Sequence, residues 1–246
     1  MDLTIWQWTL LALGAFCTGL SKTGFAGLGI LTVALFANAL PPLRSTGALL
    51  PLLLCADIFG VAFFRKHADV AYLWKLCPWV LPGIGLGYLA LGHVNDSEVK
   101  RMIGAILLAL VLLHLWRKRQ GDDLAARVPH SWWFAGLIGV LAGFTTMVAN
   151  AAGPIMVLYF LAAGLPKLNL VGTGAWFFLL TNAIKVPFSQ RLGLITGSSL
   201  EMDAWLLLPM LPGALLGPVI LRKLDQATFE GIMLALTALA SLRLLW

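Results

Sequence analysis

The chain has 246 residues, of which 60% are hydrophobic and 11% charged, and its mean hydropathy is +0.89. Soluble domains carry about 25% charged residues, so the composition excludes a soluble protein and predicts one membrane domain over residues 1–246. The net charge of +6 comes mostly from Lys and Arg in short loops, without a basic cluster interleaved with aromatic residues, so we expect no nucleic-acid partner.

Apolar runs of membrane-spanning length recur along the whole chain. The first run has no basic residue before it, so we count it as a membrane segment and not as a signal peptide. Ten segments can be marked off, at approximately 3–20, 25–41, 45–64, 71–91, 98–116, 131–148, 152–166, 169–188, 203–221 and 228–246. Because unpaired backbone groups are costly in lipid, each segment should be helical, and the predicted fold class is all-α and polytopic.

The first apolar run is interrupted by GLSKTGFAGLG at residues 19–29. Glycine lets backbone approach backbone or a ligand closely, and a lysine in apolar surroundings calls for an anion. We therefore predict an unwound hairpin here that forms half of an anion site. Lys22, Gly24 and Gly27 would lie at the opening of segment 2, with Ser21 and Thr23 beside them. The alternative is that Lys22 extends to the cytoplasmic interface and that the hydroxyls cap helices.

Asp57 is the only acid that we place well inside an apolar segment. An uncompensated carboxylate in lipid tends to bind a proton, which is the property that a proton carrier needs. The alternative is a fixed ion pair with Lys22, Lys185 or Arg65. The sequence leaves both roles open for Asp57.

The second half of the chain repeats the punctuation of the first half. Residues 19–36 align with residues 143–160, and LPG at 81–83 aligns with LPG at 211–213. Repeat 1 would cover about 3–116 and repeat 2 about 131–246, joined by a cytoplasmic linker at about 117–130. Since each half has five segments, the second half should enter the membrane from the opposite side. With both termini outside, the cytoplasmic ends hold ten Lys and Arg residues and the outer ends five.

A second glycine-rich hairpin, at residues 143–153, would meet the first near the middle of the membrane. Segment 7 has only 15 residues, too short to span a core of about 30 Å at 1.5 Å per residue. Short, Gly-interrupted segments at matching places mark the binding site of many transporters. The polar candidates here are Thr145, Thr146 and Asn150. Asn182 and Lys185 share one face of segment 8, where Lys185 could instead extend to the outer interface.

Three pairs of glycines four residues apart, Gly83/Gly87, Gly139/Gly143 and Gly213/Gly217, predict close helix packing inside the bundle, in preference to dimer faces. The three cysteines lack CxxC spacing and the four histidines lack metal-ligand spacing, so we expect no metal and no cofactor.

The motifs GLSKTGFAGLGI and AGFTTMVANAAGPI, the paired TGA turns, LPGIGLG and LPGALLG together resemble the sulfite exporter TauE/SafE family, also called TSUP. The resemblance covers nearly the whole chain. It implies a multi-pass protein of the bacterial inner membrane that moves small sulfur-containing or carboxylate anions.

The leading hypothesis is a secondary transporter for a small anion such as sulfite or a sulfonate, working by alternating access. Asp57 is the candidate for proton coupling. The alternatives are an anion channel and an intramembrane enzyme, and the latter is disfavoured because one Asp without a histidine cluster does not supply convergent acid and base groups. The expected partners are a small anionic substrate and membrane lipid, and the sequence leaves a homo-oligomer open.

Overall fold

The computed structural model of the chain describes residues 3–24, 28–120 and 132–223, together with positions 235, 238, 239, 242 and 245. The three long stretches form helices and no strand, which confirms the predicted all-α class for this part of the chain. The helices are α1 (Ile5–Thr23), α2 (Leu28–Ala39), α3 (Pro42–Phe64), α4 (Val70–His93), α5 (Asp96–Gln120), α6 (Trp132–Ala149), α7 (Gly153–Ala162), α8 (Lys167–Arg191) and α9 (Gly197–Lys223). Most of the predicted linker and of segment 10 lies outside the described residues.

Four helical stretches of the described chain are long and apolar enough to cross a membrane. They are Pro42–His67, Val70–His93, Trp132–Ala149 and Gly197–Val219. Large apolar side chains such as Trp74, Leu89, Trp205 and Leu208 are exposed on the outside of the bundle. An apolar exterior of this kind is what lipid tails solvate and water does not, so the chain is a membrane protein.

The helices α2 and α7 are the short ones, as predicted. They have 12 and 10 residues, or about 18 and 15 Å of helix at 1.5 Å per residue. Neither length can cross a hydrocarbon core of about 30 Å. Each follows a break in the helical backbone, after Gly24 in the first half and at residues 150–152 in the second.

The two glycine-rich stretches are less unwound than predicted. The helix α1 continues through Gly19 and Lys22 to Thr23, and α6 continues through Gly143 to Ala149. Lys22 therefore lies in the last turn of α1 and not at the opening of α2. The physical reason is that a helix satisfies its own backbone groups in lipid, so a glycine there does not by itself unwind it.

The glycines serve instead to bring two pairs of helices into backbone contact. A Cβ at Gly19 would meet Met210 O and Ala214 N of α9, and a Cβ at Gly143 would meet Val80 O of α4. The predicted glycine pairs make the same kind of contact: Gly83 and Gly139 lie against α6 and α4, and Gly213 and Gly217 lie against α1. The prediction that these pairs pack inside the bundle is confirmed.

Both helix pairs run parallel, since their contacts advance together along the two chains. In the pair α1/α9, Gly19 lies beside Met210 and Gly24 lies beside Gly217. In the pair α4/α6, Gly83 lies beside Val140 and Gly87 beside Met147. Each pair joins one helix from each half of the chain.

We expect Gly19→Leu to lower the free energy of unfolding by at least about 1–3 kcal/mol, because the new side chain would overlap backbone atoms of α9. The unfolding midpoint of the purified protein in detergent measures the effect. Gly85→Ala is the matched control, since a Cβ at Gly85 meets nothing within 4 Å. Helix propensity should make that variant slightly more stable, by about 0.5–1 kcal/mol. Equal losses in both variants would contradict the packing role of Gly19.

Candidate functional site

Asp57 lies in the middle of the bundle, fifteen residues after α3 begins at Pro42, and its exposed fraction is 0%. Its Oδ1 is 2.8 Å from Nζ of Lys22, at the end of α1. Its Oδ2 accepts a hydrogen bond of 2.6 Å from Nδ2 of Asn182, on α8. A buried carboxylate is tolerable only when it is paired and hydrogen-bonded, and both conditions are met here.

Lys185 lies one turn beyond Asn182 on α8 and is 1% exposed. Its Nζ donates to Asn182 Oδ1 at 3.2 Å, to Thr146 Oγ1 at 3.1 Å and to Asn150 Oδ1 at 2.5 Å. All three acceptors are neutral, and together they use the three N–H groups of the ammonium. The proposed extension of Lys185 to the outer interface is wrong, because the side chain points into the bundle.

Asn150 occupies the break between α6 and α7. Its φ is 52°, the left-handed region that asparagine tolerates better than most residues. Its amide also donates to the backbone carbonyl of Thr46 on α3 at 2.8 Å. Asn150 therefore ties the break to α3 with one end of its amide and holds Lys185 with the other.

The side chains of Lys22, Asp57, Asn182, Lys185, Thr146 and Asn150 thus form one connected hydrogen-bonded network, which we call the polar network. It draws on α1 and α3 from the first half of the chain and on α6, α8 and the break at Asn150 from the second. With both lysines and Asp57 charged, its net charge is +1.

A cavity of about 80 Å³ adjoins the polar network. This is room for several water molecules or for one small anion. Apolar side chains form most of the wall. The residues that bring polar or backbone groups to it include Ser21, Lys22, Gly24, Gly29, Thr146, Asn150 and Asn182.

Lys22 is the cation that faces this cavity. Its side chain is 13% exposed, and Nζ lies 4.2 Å from the centre of the Phe178 ring, where a cation–π attraction supports it. The alternative in which Lys22 extends to the cytoplasmic interface is wrong, because the ammonium turns inward to Asp57.

The predicted site residues therefore separate into three groups. Ser21, Lys22, Gly24, Thr146, Asn150 and Asn182 line the cavity, while Asp57 and Lys185 belong to the polar network outside that lining. Thr23 and Thr145 bond to their own helices instead: Thr23 Oγ1 donates to Gly19 O and Thr145 Oγ1 to Leu141 O. Gly27 lies outside the described residues.

The sequence did not single out Asp203, a second buried acid. We placed it at the start of segment 9, but α9 begins six residues earlier, at Gly197, and Asp203 is 5% exposed. Within the described part of the chain, neither of its carboxylate oxygens has a hydrogen-bond partner. Polar residues in GSSLEMD hide this helical start, although the ST-turn donors Thr196 and Ser199 signal it.

Comparisons with known proteins agree with this architecture. A family model described as "Sulfite exporter TauE/SafE" matches residues 11–244. A "Probable membrane transporter protein" of Haemophilus influenzae is 28% identical over 207 residues, which is 75% of this chain and 81% of that protein. No solved structure matches the chain significantly.

Proposed function

The chain belongs to the sulfite exporter TauE/SafE family of membrane transporters, and we propose that it is a secondary transporter for a small oxyanion. The substrate class is a sulfur oxyanion, a sulfonate or a short carboxylate. The observation that carries this proposal is the polar network, which sets two ammonium groups against one carboxylate beside a cavity of small-anion size.

The net charge of the polar network explains why an anion would bind. A single unpaired positive charge inside a membrane is costly, and an anion in the cavity would compensate it. Lys22 supplies a donor at the cavity wall, while Ser21, Thr146 and Asn150 supply neutral polar groups around it. We propose that these residues, with Asn182, are the substrate contacts and that Lys185 sets the charge from behind them.

The proposed mechanism is alternating access of two inverted halves, with ten membrane segments in the bacterial inner membrane. Helix direction supports it, since α1 and α9 are segments 1 and 9 of the threading, and α4 and α6 are segments 4 and 6. Segments of equal parity must run parallel, as each of these pairs does. The breaks before α2 and α7 also lie on opposite sides of the one cavity, as inverted repeats require.

Coupling to protons through Asp57 is part of the proposal. The carboxylate is fully buried and holds the cavity-facing lysine, so its protonation would change the charge that a substrate meets. The protein does not act as an enzyme in this proposal, because transport needs no reacting group at the site.

The test uses purified protein, first in detergent and then in proteoliposomes. We expect at least one of sulfite, methanesulfonate, sulfoacetate or acetate to raise the unfolding midpoint in a saturable manner. The same anion, when trapped inside vesicles, should drive counterflow of its labelled form. A channel would give flux without counterflow, and a flat thermal response to the whole panel would contradict the anion site.

A further inference from the structure

The charges around Asp57 can be counted, because few titratable groups face it. Lys22 approaches it from α1 and Lys185 from α8. The helices α2 and α6 carry no titratable side chain. Asp203 of α9 faces Cys55, two residues before Asp57, and Arg65 is exposed beyond the end of α3. On α5, Asp96 binds the start of α3 at Leu43 N.

The two lysines differ in what they can offer a ligand. The three N–H groups of Lys185 are all used by neutral oxygens of the protein. Lys22 gives one N–H to Asp57 and lies over the Phe178 ring, at the cavity wall. Lys22 is therefore the ammonium that can share its donors between a ligand and Asp57.

Charge balance then sets what the cavity can hold. With Asp57 ionised the polar network has a net charge of +1, and one negative charge on the ligand neutralises it. A ligand with two negative charges would leave an excess of −1 in a site of low dielectric, where uncompensated charge is strongly disfavoured. One proton on Asp57 removes that excess and frees Lys22 to turn wholly to the ligand.

We propose that this site binds a monoanion while Asp57 is ionised, and a dianion only together with one proton on Asp57. This inference rests on the proposed function and deepens it. The proton comes from water on the side to which the cavity opens, adds to Oδ1 in place of the Lys22 contact, and leaves on the other side with the anion. Transport of a dianion is then coupled to one proton, and transport of a monoanion is not.

The experiment measures binding by titration calorimetry at pH 6, 7 and 8, with methanesulfonate as the monoanion and sulfate as the dianion. Neither anion titrates in this range, so proton uptake by the ligand does not interfere. We expect the Kd of sulfate to rise about tenfold per pH unit, as one-proton linkage requires, and the Kd of methanesulfonate to stay constant. In weakly buffered solution, an indicator dye should report about one proton taken up per bound sulfate.

Two variants locate the proton. Asp57→Asn gives the site a permanent +2, so sulfate should bind it without pH dependence and in preference to methanesulfonate. Asp203→Asn removes the other buried carboxylate, which lies outside the polar network, and should leave the slope for sulfate unchanged. A slope that survives Asp57→Asn, or that disappears in Asp203→Asn, would overturn the inference. Dye measurements on the unaltered protein keep the test valid if Asp57→Asn fails to fold.

The outcomes also separate the inference from the function on which it rests. If both anions bind with the same pH response, the anion site stands and the charge rule is wrong. If neither anion binds at any pH, the proposed function itself fails, and the inference fails with it.

Discussion

Lys22→Met is expected to lower the free energy of unfolding by about 3–5 kcal/mol. The reason is that it leaves the Asp57 carboxylate buried without its cation, and removing one member of a buried ion pair has this cost. The double variant Lys22→Met/Asp57→Asn removes both charges and should recover most of the loss. Chemical unfolding in detergent, followed by fluorescence of the ten tryptophans, measures both.

Transport by the double variant then tests the role of Lys22 directly. The polar network keeps a net charge of +1 through Lys185, yet it lacks the ammonium at the cavity wall. Since a hydrogen bond to a charged group contributes about 1.5–3 kcal/mol, we expect at least a tenfold loss of substrate affinity.

The control for this pair is Lys66→Met, which changes an exposed lysine in the turn after α3 and should alter neither stability nor transport. Equal stability of the single and double variants would show that Lys22 and Asp57 are not coupled. Unchanged transport by the double variant would remove Lys22 from the site.

Asn150→Asp is expected to abolish most anion binding while the protein remains folded. Aspartate has the same size and also tolerates the left-handed backbone at this position. A new ion pair with Lys185 offsets the lost hydrogen bond to Thr46 O. The added charge brings the polar network to a net charge of 0, and the repulsion between it and a bound anion is about 2–4 kcal/mol at the effective dielectric of a partly buried site. Titration calorimetry should show an increase in Kd of at least about 30-fold.

The matched control is Asn38→Asp on α2. Asn38 also donates its amide to a backbone carbonyl, Ala34 O, but it does not belong to the polar network or line the cavity. The Kd of that variant should stay within about threefold of the unaltered protein. Equal weakening by the two substitutions would show that general charge, and not the charge beside Lys185, controls binding.

Some of the site could be found in the sequence because charge is so rare in this chain. Lys22, Asp57 and Lys185 stand out in apolar runs, and the cost of burying a charge in lipid makes each of them informative without any structure. The short α2 and α7 could be found for a similar reason, since membrane thickness fixes how long a spanning helix must be.

Other features could not be found in this way because they depend on where distant segments meet. The glycines at 19 and 143 predicted unwinding, but they are helical and receive the backbones of α9 and α4. Asp203 escaped notice because its burial depends on where α9 begins. Nothing in the local sequence distinguishes Thr146, which meets Lys185, from Thr145, which bonds to its own helix.

The sequence by itself determined that this is an all-helical membrane protein of a known transporter family, since hydrophobic length and glycine punctuation are local properties of the chain. Only the tertiary structure decided the partners: that Lys22 turns inward to Asp57, and that Lys185 is held by three neutral oxygens from two elements. The physical reason is that a charge in lipid must find a partner, but which partner it finds depends on contacts between residues more than 30 positions apart.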